Sequence, residues 1–99
     1  MRIISRRILR EFWEKPGRKD AEQPLRAWAN EIEKAIWKKP SDIKAHYRNA
    51  SFLGKDRVIF NIGGNKYRLI VAVHYKSQIV FIRFIGTHTE YDEIDVERI

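Results

Sequence analysis

Ninety-nine residues with a formal net charge of +7, 43% hydrophobic and 12% aromatic side chains describe one domain with a single core, and exclude a disordered chain despite 33% charged residues. The absence of cysteine excludes disulfides and thiolate metal sites, so a cytoplasmic setting is expected. No segment has the apolar length of a signal peptide or membrane span, so no membrane is expected, and the positive charge makes a polyanion, nucleic acid first, the expected encounter.

Helices are predicted first along the chain. Ser5 is an N-cap candidate, and Ile8, Leu9, Phe12 and Trp13 follow on one helical stripe that should end near Lys15, before Pro16 and Gly17. A second helix carries Leu25, Trp28, Ala29, Ile32 and Ile36 at spacings of three and four and should stop before Pro40; its start is ambiguous, because Asp20 and Gln23 resemble a capping box with Pro24 behind them. Trp13, Trp28 and Trp37 are expected to pack helices or meet a partner. The segment from Ser41 to Tyr47 suits a further short turn.

The period then changes to that of strands. "RVIFNI", "KYRLIVAVHY" and "QIVFIRFIG" are rich in β-branched and aromatic residues and are separated by "GGN" and "KS", credible hairpin turns; Met1 to Ile4 is a candidate edge strand. The expected fold is α+β: two N-terminal helices on one face of a small antiparallel sheet, a short C-terminal helical turn, and one domain spanning residues 1–99.

A two-residue turn at Lys76 and Ser77 sets Ile70 opposite Arg83 and Arg68 opposite Ile85, making Arg68 and Arg83 diagonal neighbours on one face. A two-residue "GG" turn sets Asn61 opposite Lys66 and Ile59 opposite Arg68. Asn61, Lys66, Arg68 and Arg83 are therefore expected to converge, with Arg57 a further basic residue for RNA. Val58, Phe60, Ile62, Tyr67, Leu69, Val71, Val73, Val80, Ile82 and Phe84 form the opposite, helix-covered face. His88 and Tyr91 follow the strand end where Arg68 lies and are placed to close an open cationic groove.

Two guanidiniums can hold a phosphate by forked hydrogen bonds, and neither gives up its proton near neutral pH. An imidazole can accept a proton there, and a tyrosine can donate one, hold a 2′-hydroxyl or stack on a base. Attack of a ribose 2′-oxygen on its own phosphate needs a proton acceptor, a proton donor and cations around phosphorus, with no metal. The candidate catalytic residues are His88, Tyr91, Arg68 and Arg83, and the candidate RNA-binding residues are Lys66, Asn61 and Arg57; no metal or cofactor is assigned.

"FNIGGNKYRLIVAV" followed by "VFIRFIGTHTEYDEID" resembles the HigB-type toxins of bacterial type II toxin–antitoxin modules, within the RelE and ParE superfamily. The resemblance runs over nearly the whole chain, including both early helices and "KKPSDIK". It implies a ribosome-associated mRNA endoribonuclease, or mRNA interferase, that cuts translated messages and arrests growth. It also implies a HigA-type antitoxin with a DNA-binding domain, through which the complex meets operator DNA. Arg68 and Arg83 match the phosphate-binding arginines and His88 and Tyr91 the terminal catalytic pair, while the group that takes the 2′-hydroxyl proton stays open.

Two other readings compete. A ParE-like toxin would bind DNA gyrase without catalysis, and a simple RNA-binding module would use Tyr91 and the basic groove without His88. A titratable group beside paired arginines argues against the first, and the second is distinguished by replacing His88, which would then barely alter function.

Overall fold

Ser5 has an extended backbone and its Oγ accepts the Arg7 N–H at 3.2 Å, which opens the first helix, α1 (Arg6–Trp13). In this computed structural model, which describes the whole of Met1–Ile99, α1 is capped by Glu14, ahead of Pro16 and Gly17. A 3₁₀ turn, Lys19–Ala21, leads into α2 (Glu22–Lys34), so Pro24 lies in the first helical turn, where a backbone N–H lacks an intrahelical partner in any case. Asp20 is not a cap. Its carboxylate accepts the Tyr67 hydroxyl at 2.5 Å and the Lys66 ammonium.

The end of α2 differs from the apolar spacing. Ala35 leaves helical geometry with ψ 149°, and Ile36 is 73% exposed. Two interactions favour this exit: the terminal amine of Met1 donates to the Ala35 carbonyl at 2.6 Å, and Trp37 turns inward to stack on Phe60. A buried indole replaces the isoleucine that helical periodicity would have placed inside. The third helix, α3 (Pro40–His46), begins with proline, whose fixed φ suits that position, and buries Ile43.

The remaining elements form a five-stranded sheet in the order β1-β5-β4-β3-β2. Its strands are β1 (Arg2–Ile4), β2 (Ser51–Leu53), β3 (Arg57–Ile62), β4 (Tyr67–His74) and β5 (Ile79–Thr87), followed by a short helix, α4 (His88–Glu93). Pairing is antiparallel except between β1 and β5. The N-terminal edge strand is thus present, and the short β2 adds an edge strand that the sequence did not signal.

Leu9, Phe12, Leu25, Trp28, Ile32 and Ile43 from the helices meet Val58, Phe60, Leu69, Val71, Val73 and Val80 from the sheet in one buried core. Period-2 alternation puts these sheet residues on one face. The other face is not simply an open groove. Ile59, Ile70 and Ala72 are 5%, 0% and 4% exposed, yet belong to no part of the helix-side core. The C-terminal segment packs over this face, with α4 against β4 and β5. Near-continuous apolar runs in β3 and β4 fit burial on both sides.

Two register details determine which side chains meet. The β3–β4 connection uses Gly63 to Lys66, so Asn61 pairs with Arg68 instead of Lys66. This is a two-residue shift, which preserves faces. Gly63 and Gly64 have φ of 62° and 69°, the left-handed geometry that glycine supplies without strain. Between β4 and β5 the expected register holds from His74↔Ile79 to Val71↔Ile82, and then a bulge leaves Arg83 without a partner. From there Ile70 pairs with Phe84 and Arg68 with Gly86. The extra residue reverses the faces, so Phe84 leaves the helix-covered side and Ile85 packs against the core in its place.

Candidate active site

Arg68 anchors the site. Its position opposite Asn61 on β3 lets Nη1 donate to Asn61 Oδ1 at 2.5 Å. On the other side its guanidinium carbon is 5.5 Å from the centroid of Tyr91, a cation–π distance. The amide acceptor and the ring fix the plane of the guanidinium before any ligand arrives. Asn61, Arg68 and Tyr91 are therefore brought together, as the sequence suggested.

Tyr91 reaches Arg68 because α4 starts two residues after Gly86, the partner of Arg68. Thr87 caps α4: its Oγ1 accepts the Glu90 N–H at 3.2 Å, while Glu90 Oε1 accepts the Thr87 N–H at 2.9 Å. Gly86 makes this docking possible, since a Cβ there would lie 2.5 Å from Phe84 Cζ and 3.1 Å from Glu90 Cβ. His88, at the start of α4, is half-buried, and its Nε2 is enclosed without a protein hydrogen-bond partner. The Nε atoms of Arg68 and Arg57 are likewise buried and unpartnered. Buried polar nitrogens are normally paired, and none of these three has a protein partner.

Glu90 itself is held below the ordinary carboxylate range, first by the Thr87 backbone N–H and then by Arg18, against the opposing effect of burial. Arg18 Nη2 donates to Glu90 Oε2 at 3.0 Å. Neither residue is among the site residues expected from the sequence, although a carboxylate in the acidic tail from Glu90 to Glu97 is expected to pair with a basic neighbour. The Thr87-x-x-Glu90 spacing is a legible capping signal, but nothing local to Arg18 reveals a partner 72 residues away.

The other expected site residues are dispersed. Arg83 is exposed at the bulge, three positions before Gly86 and so about 10 Å along the strand from the position opposite Arg68. It is not the diagonal neighbour that an unbulged hairpin implied. Arg57 shares Arg68's face, four positions along β3 from Asn61, about 13 Å away. It borders a cleft of about 510 Å³ between Leu53–Arg57 and the C-terminal residues Asp95–Arg98. Lys66 does not join the cluster. It lies in the β3–β4 turn and pairs with Asp20, which holds the ammonium pKa up and the carboxyl down.

A sheet face carrying Arg57 and Arg68 is thus closed by a terminal helix carrying His88 and Tyr91. Residues 21–94 match the HigB_toxin model, described as the RelE-like toxic component of a toxin–antitoxin system. The chain belongs to the HigB toxin family. It is 37% identical over 95 residues to the mRNA interferase toxin HigB of Escherichia coli strain K12, covering 93% of this chain and 88% of that protein. The mRNA interferase HigB proteins of E. coli O157:H7 and Shigella flexneri match with the same identity and coverage. The matched family segment ends at residue 94, so it includes all of α4 and every expected site residue.

Proposed function

We propose that this HigB-family chain is an mRNA endoribonuclease acting on messages during translation, with Arg68, His88 and Tyr91 at the reacting phosphate. The observation that carries this reading is Arg68 clasped between Asn61 and Tyr91, close in the fold to a His88 whose buried Nε2 has no protein partner. The names of the relatives supply the substrate class, mRNA.

In this mechanism Arg68 binds the scissile phosphate and offsets the charge that grows on its oxygens. His88 accepts the 2′-hydroxyl proton as the 2′-oxygen attacks phosphorus, and the Tyr91 hydroxyl donates a proton to the departing 5′-oxygen. The products are a 2′,3′-cyclic phosphate and a 5′-hydroxyl end. Arg57 and Arg83, each displaced along the sheet, hold neighbouring backbone phosphates. Lys66 stabilises the fold through Asp20 and takes no part in cleavage.

The surrounding biology follows as part of the same proposal: a cytoplasmic toxin, delivered to mRNA on the ribosome, neutralised by an antitoxin of the HigA type and brought to operator DNA by it. No helix is long and apolar enough to cross a membrane. The test is 5′-end mapping of mRNA from cells briefly expressing the chain, beside Arg68→Ala and His88→Ala at matched protein level. New ends inside translated frames that disappear with either substitution are the expected result. Growth arrest without new ends would instead point to a non-catalytic, ParE-like toxin that binds gyrase.

A further inference from the structure

The catalytic helix α4 is short, exposed along one side, and contributes no residue to the helix-side core. A six-residue helix has little intrinsic stability, because nucleation fixes several backbone angles for few hydrogen bonds. Something must hold His88 and Tyr91 in place. The capping box fastens the first turn to Thr87, and the absence of a side chain at Gly86 lets Glu90 settle against β5. Tyr91 also lies against the Arg68 guanidinium, and a further contact comes from a different layer. Arg18, in the connection between α1 and α2, reaches the Glu90 oxygen not used for capping.

Arg18 is itself well placed. Its guanidinium lies 5.0 Å from the Phe12 ring centroid, and Phe12 meets Tyr67 edge-on at 5.3 Å. Tyr67 pairs with Thr87 across the sheet and donates its hydroxyl to Asp20, two residues beyond Arg18. The α1–α2 connection, the end of the sheet and α4 thus form one closed circuit. Glu90 has one carboxylate oxygen on the α4 cap and the other on that connection.

We propose that Arg18 and Glu90 are positioning residues for cleavage: they form a latch that sets the pose of α4, and through it the distances of His88 and Tyr91 from the phosphate held by Arg68. The inference rests on the endoribonuclease reading. Neither residue touches RNA in this proposal. The effect falls on the rate of the chemical step and leaves binding to the basic face unchanged.

The experiment compares the full-length chain with Arg18→Gln, Glu90→Gln, the double variant and Arg18→Lys. Glutamine at 90 can still cap Thr87, so Glu90→Gln isolates the ion pair. Single-turnover cleavage of one defined message in a purified translation reaction gives a maximal rate and a half-saturating toxin concentration. Each glutamine variant is expected to lower the maximal rate about ten-fold or more, the scale on which small misplacements act, with half-saturation unchanged. The double variant should lose no more than either single one, and Arg18→Lys should recover most of the rate. Hydrogen exchange at residues 88–93 should quicken in both glutamine variants while the central strands stay protected.

Wild-type maximal rates in both glutamine variants would overturn the latch, as would losses that multiply in the double variant. A rate loss accompanied by deprotection of the whole sheet would also overturn it, by showing a general folding defect. If the wild-type chain cuts no message, the endoribonuclease reading fails. The latch is then decided by exchange alone, surviving if residues 88–93 quicken selectively and falling if they do not.

Discussion

The guanidinium of Arg68 lies 5.5 Å from the ring centroid of Tyr91 while it donates to Asn61 at 2.5 Å. Tyr91 therefore has two separable parts, a ring that orients the arginine and a hydroxyl that is free to donate. Tyr91→Phe keeps the ring and should lower the cleavage rate by about 10²-fold or more, with RNA affinity unchanged. Tyr91→Leu should in addition weaken RNA binding by about three- to five-fold, the scale of an exposed cation–π contact. Equal binding and equal rates in the two variants would refute this division.

His88 should be costly to the reaction and nearly neutral to the fold. Its Nε2 makes no protein hydrogen bond, so His88→Ala leaves no protein partner of that nitrogen stranded. The expected change in unfolding free energy is within about 1 kcal/mol, against a loss of about 10²- to 10⁴-fold in cleavage. Urea denaturation and single-turnover rates on the same preparations check both parts. A fold that collapses without the imidazole would make His88 structural.

Stability should decline at both ends of the pH scale for different reasons. Glu90, held down by the Thr87 N–H and Arg18, and Asp20, held down by Lys66 and Tyr67, have folded pKa values below their ordinary 4.5 and 3.8. Their contribution is present above those values and is lost as pH falls through the lowered, folded ones. Tyr67, raised by burial and by Asp20, and Lys66, raised by Asp20, act in the opposite sense. Their contribution is full below their ordinary values near 10 and is lost as pH rises through the raised ones. Melting temperature followed against pH should show a plateau near neutrality, and Glu90→Gln should flatten part of the acid limb.

Gly86→Ala tests the close packing of α4. The added methyl would meet Phe84 Cζ at 2.5 Å and Glu90 Oε1 at 3.0 Å. Overpacking of this kind typically costs about 1–3 kcal/mol, and here the easiest relief is to push α4 outward. Reduced stability should be accompanied by reduced cleavage. An alanine variant with wild-type stability and rate would show that Phe84 and Glu90 yield freely.

The two isoleucines of the second-helix pattern should behave differently. Ile32 is fully buried, so Ile32→Ala should destabilise by about 2–5 kcal/mol. Ile36 is 73% exposed beyond the helix end, and Ile36→Ala should change stability by no more than about 0.5 kcal/mol. Denaturant midpoints with unchanged slope would measure both.

Much of this protein was determined by local pattern alone. The Ser5 cap, the apolar stripes of α1 and α2 and the β-branched, apolar runs of β3 and β4 depend on neighbours a few residues away, so they are readable from sequence. The grouping of Asn61 with Arg68 survived an error in turn length, because shifting register by two residues leaves every side chain on its own face. Tertiary structure decided the rest. The bulge that displaces Arg83 exists only in the pairing of β5 with β4, and the capture of Lys66 by Asp20 spans 46 residues. The Arg18–Glu90 contact spans 72. Periodicity records which way a side chain points along its own element, but carries no information about which distant charge will be waiting when the layers close.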